Sequence, residues 1–128
     1  MNNYRSGKWA EFIARLYLRL HGYRIVAKNI IVGKGTTAGE IDIIACKKKC
    51  LVFVEVKKRR TLDEAAYAIT AKQRQRLIRG AAVFAGNKSQ YKGYDIRFDA
   101  VFVKLPFTIV HIKNAWGAEV LQNKNPRR

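Results

Sequence analysis

GEIDIIACKKKCLVFVEVK, residues Gly39 to Lys57, reads as two consecutive β-strands that both carry acid. In the first, Glu40, Asp42 and Ile44 alternate with Ile41, Ile43 and Ala45; in the second, Leu51, Phe53, Glu55 and Lys57 alternate with Val52, Val54 and Val56. Directly opposed residues of an antiparallel pair share a face, so only certain hairpin registers bring the acidic faces together. A turn at Lys48-Lys49 sets Asp42 opposite Glu55, with their Cβ atoms about 5 Å apart. Lys-Lys is a poor two-residue turn, because tight hairpin turns favour Gly, Asn or Asp at positive φ. A longer loop with a two-residue slip also fits, and the shared face survives that slip.

Two carboxylates held side by side resist ionising together unless a cation sits between them. Mg²⁺ typically takes one or two protein carboxylates, keeps several waters and completes its shell with phosphate oxygens. Asp42 and Glu55 are therefore candidate ligands for Mg²⁺ or Mn²⁺. Lys57, on the same face as Glu55, is placed to orient or deprotonate an attacking water, or to neutralise charge developing on phosphorus. This residue set suits phosphodiester hydrolysis. The ordinary alternative is a salt-bridged patch on a solvent-facing sheet. Against it, the strand over 51–56 is apolar until its acidic end, and Glu40 adds negative charge nearby.

Asp42 followed by Glu55-Val56-Lys57 resembles the PD-(D/E)xK nuclease signature. More closely, Gly7, Ala10-Glu11, Gly22, Asn29, Gly39-Glu40-Ile41-Asp42, Val52 to Lys57 and Arg97-Phe98-Asp99 resemble the YraN-like family of small bacterial predicted endonucleases, from about Gly7 to Ala115. The residue before Asp42 is Ile41 rather than proline, a substitution the wider superfamily tolerates. The resemblance implies a restriction-endonuclease-like core similar to that of archaeal Holliday-junction resolvases. It implies catalytic roles for Asp42, Glu55 and Lys57, with Glu11 reaching the metal site from a helix. It also makes Lys72, Gln73 and Arg74 candidates for a polar side chain donated by a second helix. Related resolvases work as symmetric pairs, so a homodimer is implied, although no interface pattern in the sequence decides it.

The composition bounds the partner. With 128 residues and 48% hydrophobic content the chain suits one domain, expected over 1–121, followed by a basic tail, 122–128, expected to be disordered. Lys and Arg number 26 against 9 Asp and Glu, a formal charge of +17 that points to a polyanion, foremost DNA. Charge that serves only solubility or attraction to an anionic membrane is the alternative. No apolar run approaches the roughly 20 residues of a membrane span, the first residues lack a signal-peptide core, and a cytoplasmic protein without membrane contact is expected. In that reducing compartment Cys46 and Cys50, which flank the turn, are expected as thiols. With His21 and His111 distant in sequence they make a poor zinc site, and these four residues receive no function.

The first helix is expected from Ser6, as N-cap, to His21, stopped by Gly22. Trp9, Phe12, Ile13, Leu16, Tyr17 and Leu20 form its apolar stripe, Lys8, Arg15 and Arg19 the opposite side, and Glu11 the border. Taken alone, Glu11 reads as an i,i+4 ion pair with Arg15. Tyr23 to Ile31 reads as a strand, and the glycine-rich loop to Gly39 lacks the Lys and Ser/Thr of a nucleotide-binding loop. Lys58, Arg59 and Arg60 follow the acidic strand as a candidate nucleic-acid contact, then Thr61 with Glu64 matches a capping box. A second helix over about 70–85 buries Ile69, Leu77, Ile78, Ala81 and Phe84. Its Lys72, Arg76 and Arg79 fall in one arc suited to a phosphate strand. Arg74 falls among apolar residues, where it must snorkel or pair with an acid. Strands at 95–104 and 108–115 follow, with Asp99 read as a partner of Arg97. The order predicts an α/β fold, a five-stranded mixed sheet flanked by helices. The function expected is a metal-dependent DNA endonuclease acting on branched or structured substrates. The alternative is a non-catalytic module that binds DNA or RNA.

Overall fold

A computed structural model describes residues 3–32, 39–59, 69–104 and 108–116. Expectations for the loop before Gly39, for Arg60, for the Thr61 capping box and for the tail fall outside those residues. The acidic hairpin forms as β2 (Gly39–Lys47) and β3 (Cys50–Lys58). Lys47 lies opposite Cys50 and Ile43 opposite Val54, so the turn is Lys48-Lys49. Lys48 takes a φ of 56°. That left-handed geometry disfavours a side chain by about 1–2 kcal/mol. The turn is braced by Cys46 Sγ on the Lys48 carbonyl at 3.6 Å and by the Asp95 N–H on the Lys49 carbonyl at 2.9 Å.

Around this hairpin the sheet takes the order β1-β2-β3-β4-β5, with β1 at Arg24–Val32, β4 at Asp95–Lys104 and β5 at Thr108–Trp116. All pairings are antiparallel except β3 with β4, which run parallel because a helical crossover joins them. One helix covers each face: α1 (Asn3–Leu20) and α2 (Ala71–Gly86). β3 is therefore buried on both sides, Val52, Val54 and Val56 toward α1 and Leu51 and Phe53 toward α2. Burial on both faces is why it reads as a near-continuous apolar run. The cysteines fall on opposite faces, Cys46 in the α2-side core and Cys50 against the α1-side core, and both are free thiols.

α2 matches its expected core, with Leu77, Ile78, Ala81 and Phe84 buried. Thr70 caps it: its hydroxyl accepts from the Gln73 N–H at 3.1 Å, and Gln73 Oε1 accepts from the Thr70 N–H at 3.0 Å. Arg74 does not pair with an acid: half-buried, it donates from Nη1 to the Ile69 carbonyl at 2.9 Å.

α1 departs further from what its spacing predicts. It starts at Asn3, so Ser6 lies inside the helix instead of capping it. Its buried face is Ala10, Ile13, Ala14 and Leu18, while Trp9, Phe12, Leu16 and Leu20 are exposed at 41%, 44%, 44% and 80%. The reason is packing distance. The small side chains of Ala10 and Ala14 let the helix lie close on the valine-rich sheet, and the bulkier residues rotate outward.

Candidate active site

The site begins where β2 and β3 part. Their ladder ends at Ile43 and Val54, in the register that the turn at Lys48-Lys49 predicts, and Asp42 and Glu55 are the next residues beyond that last pair. Instead of a backbone rung there, Asp42 Oδ2 accepts from the Val56 N–H at 2.9 Å. Facing also breaks at this point. Ile43 and Ala45 belong to the α1-side core and Ile44 and Cys46 to the α2-side core, yet Ile41 packs on the α2 side. Across on β1, Asn29 falls between the Lys28–Ile43 and Ile30–Ile41 pairs with a φ of 51°. Both strands bend beside Asp42, and a fork opens at this end of the sheet.

Groups from both helical layers reach the fork. Glu11 of α1, Gln73 and Arg76 of α2, and Glu40, Asp42, Glu55 and Lys57 of the hairpin line a cleft of about 350 Å³. Gly39 makes the approach of α2 feasible, since a Cβ there would sit 3.3 Å from Arg76 Cβ. Four carboxylates line this cleft, although the whole chain has only 9 acidic residues against 26 basic ones. That concentration runs against the composition.

Burial and the neighbouring Glu55 push Asp42 up to about 8, the bond from Val56 working in the opposite direction. Glu55 is also raised, by burial, with Lys57 holding it down. Lys57 Nζ stands 3.4 Å from Glu55 Oε2. Glu11 Oε1, buried and without a hydrogen-bond donor, stands 3.9 Å from Lys8 Nζ, so its ion pair is with Lys8 and not with Arg15 as its spacing suggested. Among the described residues no three His, Cys, Asp or Glu side chains are already gathered as a ligand cluster. The donor set nevertheless fits a hard divalent cation: the carboxyls of Glu11, Asp42 and Glu55 line one cleft, and joint ionisation of the last two requires positive charge between them.

Of the expected nucleic-acid contacts, Arg76 lines the cleft while Lys72 and Arg79 are exposed on α2. Lys58 and Arg59 stand half-buried where β3 ends, with the Arg59 N–H on the Val103 carbonyl at 3.0 Å and its Nη1 on the Lys58 carbonyl. Of the three α2 candidates for the site, Gln73 reaches the cleft; Lys72 and Arg74 do not line it. Arg76, grouped by its helical arc with Lys72 and Arg79 as a phosphate contact, is the one of the three that lines the cleft.

A second polar cluster lies on the α1 side of the sheet. Asp99, fully buried, accepts from Arg97 Nε and Nη2, each at 2.8 Å, and from the Asn114 N–H at 2.9 Å. His111 Nε2 stands 2.7 Å from Asp99 Oδ2. Because a carboxylate only accepts, Nε2 carries a proton. His111 Nδ1 meets the Tyr17 hydroxyl at 3.1 Å, and Arg97 also donates to the Tyr23 hydroxyl at 2.6 Å. These donors hold Asp99 down at about 2 despite burial. The Arg97–Asp99 pair was legible; the part played by His111 was not, because it depends on the register in which β5 pairs with β4.

No helix among the described residues is long and apolar enough to cross a membrane. Residues 10–103 match the family model described as Uncharacterised protein family UPF0102. A UPF0102 protein of Paramagnetospirillum magneticum is 45% identical over 115 residues, covering 88% of this chain and 87% of its own. A UPF0102 protein of Nitrobacter winogradskyi is 43% identical over 115 residues, covering 90% of this chain and 94% of its own. A relative in Rhodopseudomonas palustris is 40% identical over 115 residues, covering 90% of this chain and 82% of its own. The matched span contains the fork, both strands of the hairpin, α2 and Asp99, and the chain belongs to the UPF0102 family, which is the YraN-like family.

Proposed function

We propose that this protein is a metal-dependent endonuclease that hydrolyses phosphodiester bonds in DNA, with branched or structured DNA as the substrate. The observation that carries the reading is the pair Asp42, half-buried, and Glu55, buried, which line one cleft and are both raised in pKa within a chain of net charge +17. Asp42 and Glu55 would hold Mg²⁺ or Mn²⁺, with Glu11 lining the same cleft from α1. Such an ion supplies charge for the phosphoryl oxygens and acidity for a bound water. Lys57, already aligned by Glu55, is placed to hold the attacking water or to neutralise charge gathering on phosphorus, and Arg76 to receive a neighbouring phosphate oxygen. The surrounding cations, Lys58, Arg59, Lys72 and Arg79, supply the sequence-independent attraction for the backbone.

The test is calorimetric titration with Mn²⁺, followed by incubation with plasmid and junction substrates. Binding to the wild type that weakens at least about tenfold in Asp42→Ala is the expected result. Absence of Mn²⁺ binding in a folded wild type would overturn the proposal.

A second reading rests on one contact: Lys57 supplies the acidic pair with a cation of its own at 3.4 Å. In that case the fold binds DNA or RNA without chemistry. Its affinity would ignore divalent ions and, on duplex DNA, fall on a logarithmic scale by about 0.9 per neutralised phosphate as salt rises.

A further inference from the structure

On α1 the rings of Trp9 and Phe12 stack, centroids 5.7 Å apart and planes inclined by 24°, with about two-fifths of each residue left open to solvent, 41% and 44%. An exposed aromatic pair of this kind serves no core. Its surroundings indicate what it receives. At about 100° per residue, Lys8, Arg15 and Arg19 form a row beside the rings, and beyond that row the same helix presents Glu11 to the cleft. Glu11 lies between Trp9 and Phe12 in sequence, so rings, cations and cleft residue share about three helical turns.

We propose that Trp9 and Phe12 form a stacking platform for unpaired nucleobases, with Arg15 and Arg19 on the adjoining backbone, so that a single-stranded segment leaving the cleft runs over α1. This inference rests on the cleft being a phosphodiester site and names its substrate as one with an unpaired arm. Base stacking on aromatic rings beside a basic track is the general means of holding single strands, and it is indifferent to sequence. Duplex DNA, whose bases are already stacked on one another, gains nothing from the rings. A second copy of the chain is a poor occupant, because each carries +17 and the stripe is flanked by like charge.

The experiment compares a fluorescein-labelled single-stranded oligonucleotide with its blunt duplex, both titrated in EDTA so that binding is read apart from cleavage. Trp9→Leu with Phe12→Leu is expected to weaken single-strand binding about tenfold or more, with duplex binding within about twofold of wild type. Arg15→Gln with Arg19→Gln is expected to reduce the single-strand salt slope by about 0.7 for each phosphate that is no longer neutralised. In the wild type, saturation with the oligonucleotide should quench the emission of exposed Trp9, since Trp116, the other tryptophan, is buried. Single-strand affinity unchanged in the folded aromatic variant, or no quenching in the wild type, would overturn the platform. So would loss of self-association in that variant with intact oligonucleotide binding, which would make the stripe a protein interface. A wild type that binds single strands through the rings but fails to cleave in Mn²⁺ would leave the platform standing and remove the nuclease.

Discussion

Replacing Asp42 with asparagine is expected to abolish divalent-dependent cleavage and, in the same molecule, to stabilise the cation-free protein at neutral and alkaline pH. The activity loss follows from charge. Asparagine keeps an acceptor for the Val56 N–H but removes the carboxylate that pairs with Glu55. Losing a charge that stabilises a phosphoryl transition state is worth several kcal/mol, so cleavage should fall by at least about a hundredfold.

The stability gain follows from linkage. Asp42 is raised from 3.8 to about 8, so between those values the folded protein retains a proton that the unfolded chain has released. Stability therefore falls as pH rises through that window, and Glu55, raised as well, adds to the same slope. Removing the titrating carboxyl removes its share of the slope, a gain on the order of 1–3 kcal/mol above neutrality. Thermal melts of both proteins in EDTA across pH check this. Curves that stay parallel from acid to alkali would show that no strain is stored in the pair. Mn²⁺ should restore the wild type toward the variant, since a bound cation allows both carboxyls to ionise.

The second large effect lies at Asp99. Asp99→Ala is expected to cost about 2–4 kcal/mol, because it removes the acceptor of a half-buried guanidinium, which keeps only its bond to Tyr23, and of the buried His111 side chain. Asp99→Asn should cost less, since one oxygen remains to accept from Asn114 or Arg97. The pH dependence has the opposite sign to that of Asp42. Asp99 is lowered from 3.8 to about 2, so its contribution is complete above 3.8 and fades as pH falls through about 2. Denaturant titrations at neutral and acid pH separate the two. A loss under about 1 kcal/mol at neutral pH in Asp99→Ala would mean that water satisfies the stranded donors.

What the sequence disclosed follows from how local each feature is. The hairpin register came from alternation and a two-residue turn, and Asp42 met Glu55 as a result, even with the turn residue Lys48 at a φ its side chain disfavours. The core of α2 was equally local, while its Thr70–Gln73 cap went unread. The outward face of α1 was not legible, because hydrophobicity by itself does not tell which of two adjacent apolar arcs meets the sheet. Ala10 and Ala14 decided it by being small. The His111–Asp99 contact depends on β5 returning beside β4, and the Arg76 position on how closely α2 crosses Gly39; both are set by tertiary approach rather than spacing.

The acidic fork also has a kinetic consequence. β2 and β3 are consecutive and close through a tight turn, a microsecond event, whereas β3 meets β4 only after a long crossover has been closed. The two carboxyls are thus forced together early, before the rest of the sheet has formed to stabilise them. Their mutual repulsion falls on the rate-limiting assembly. In stopped-flow experiments the refolding limb should therefore slow with alkalinity in EDTA while the unfolding limb barely moves, and Asp42→Asn should erase that dependence.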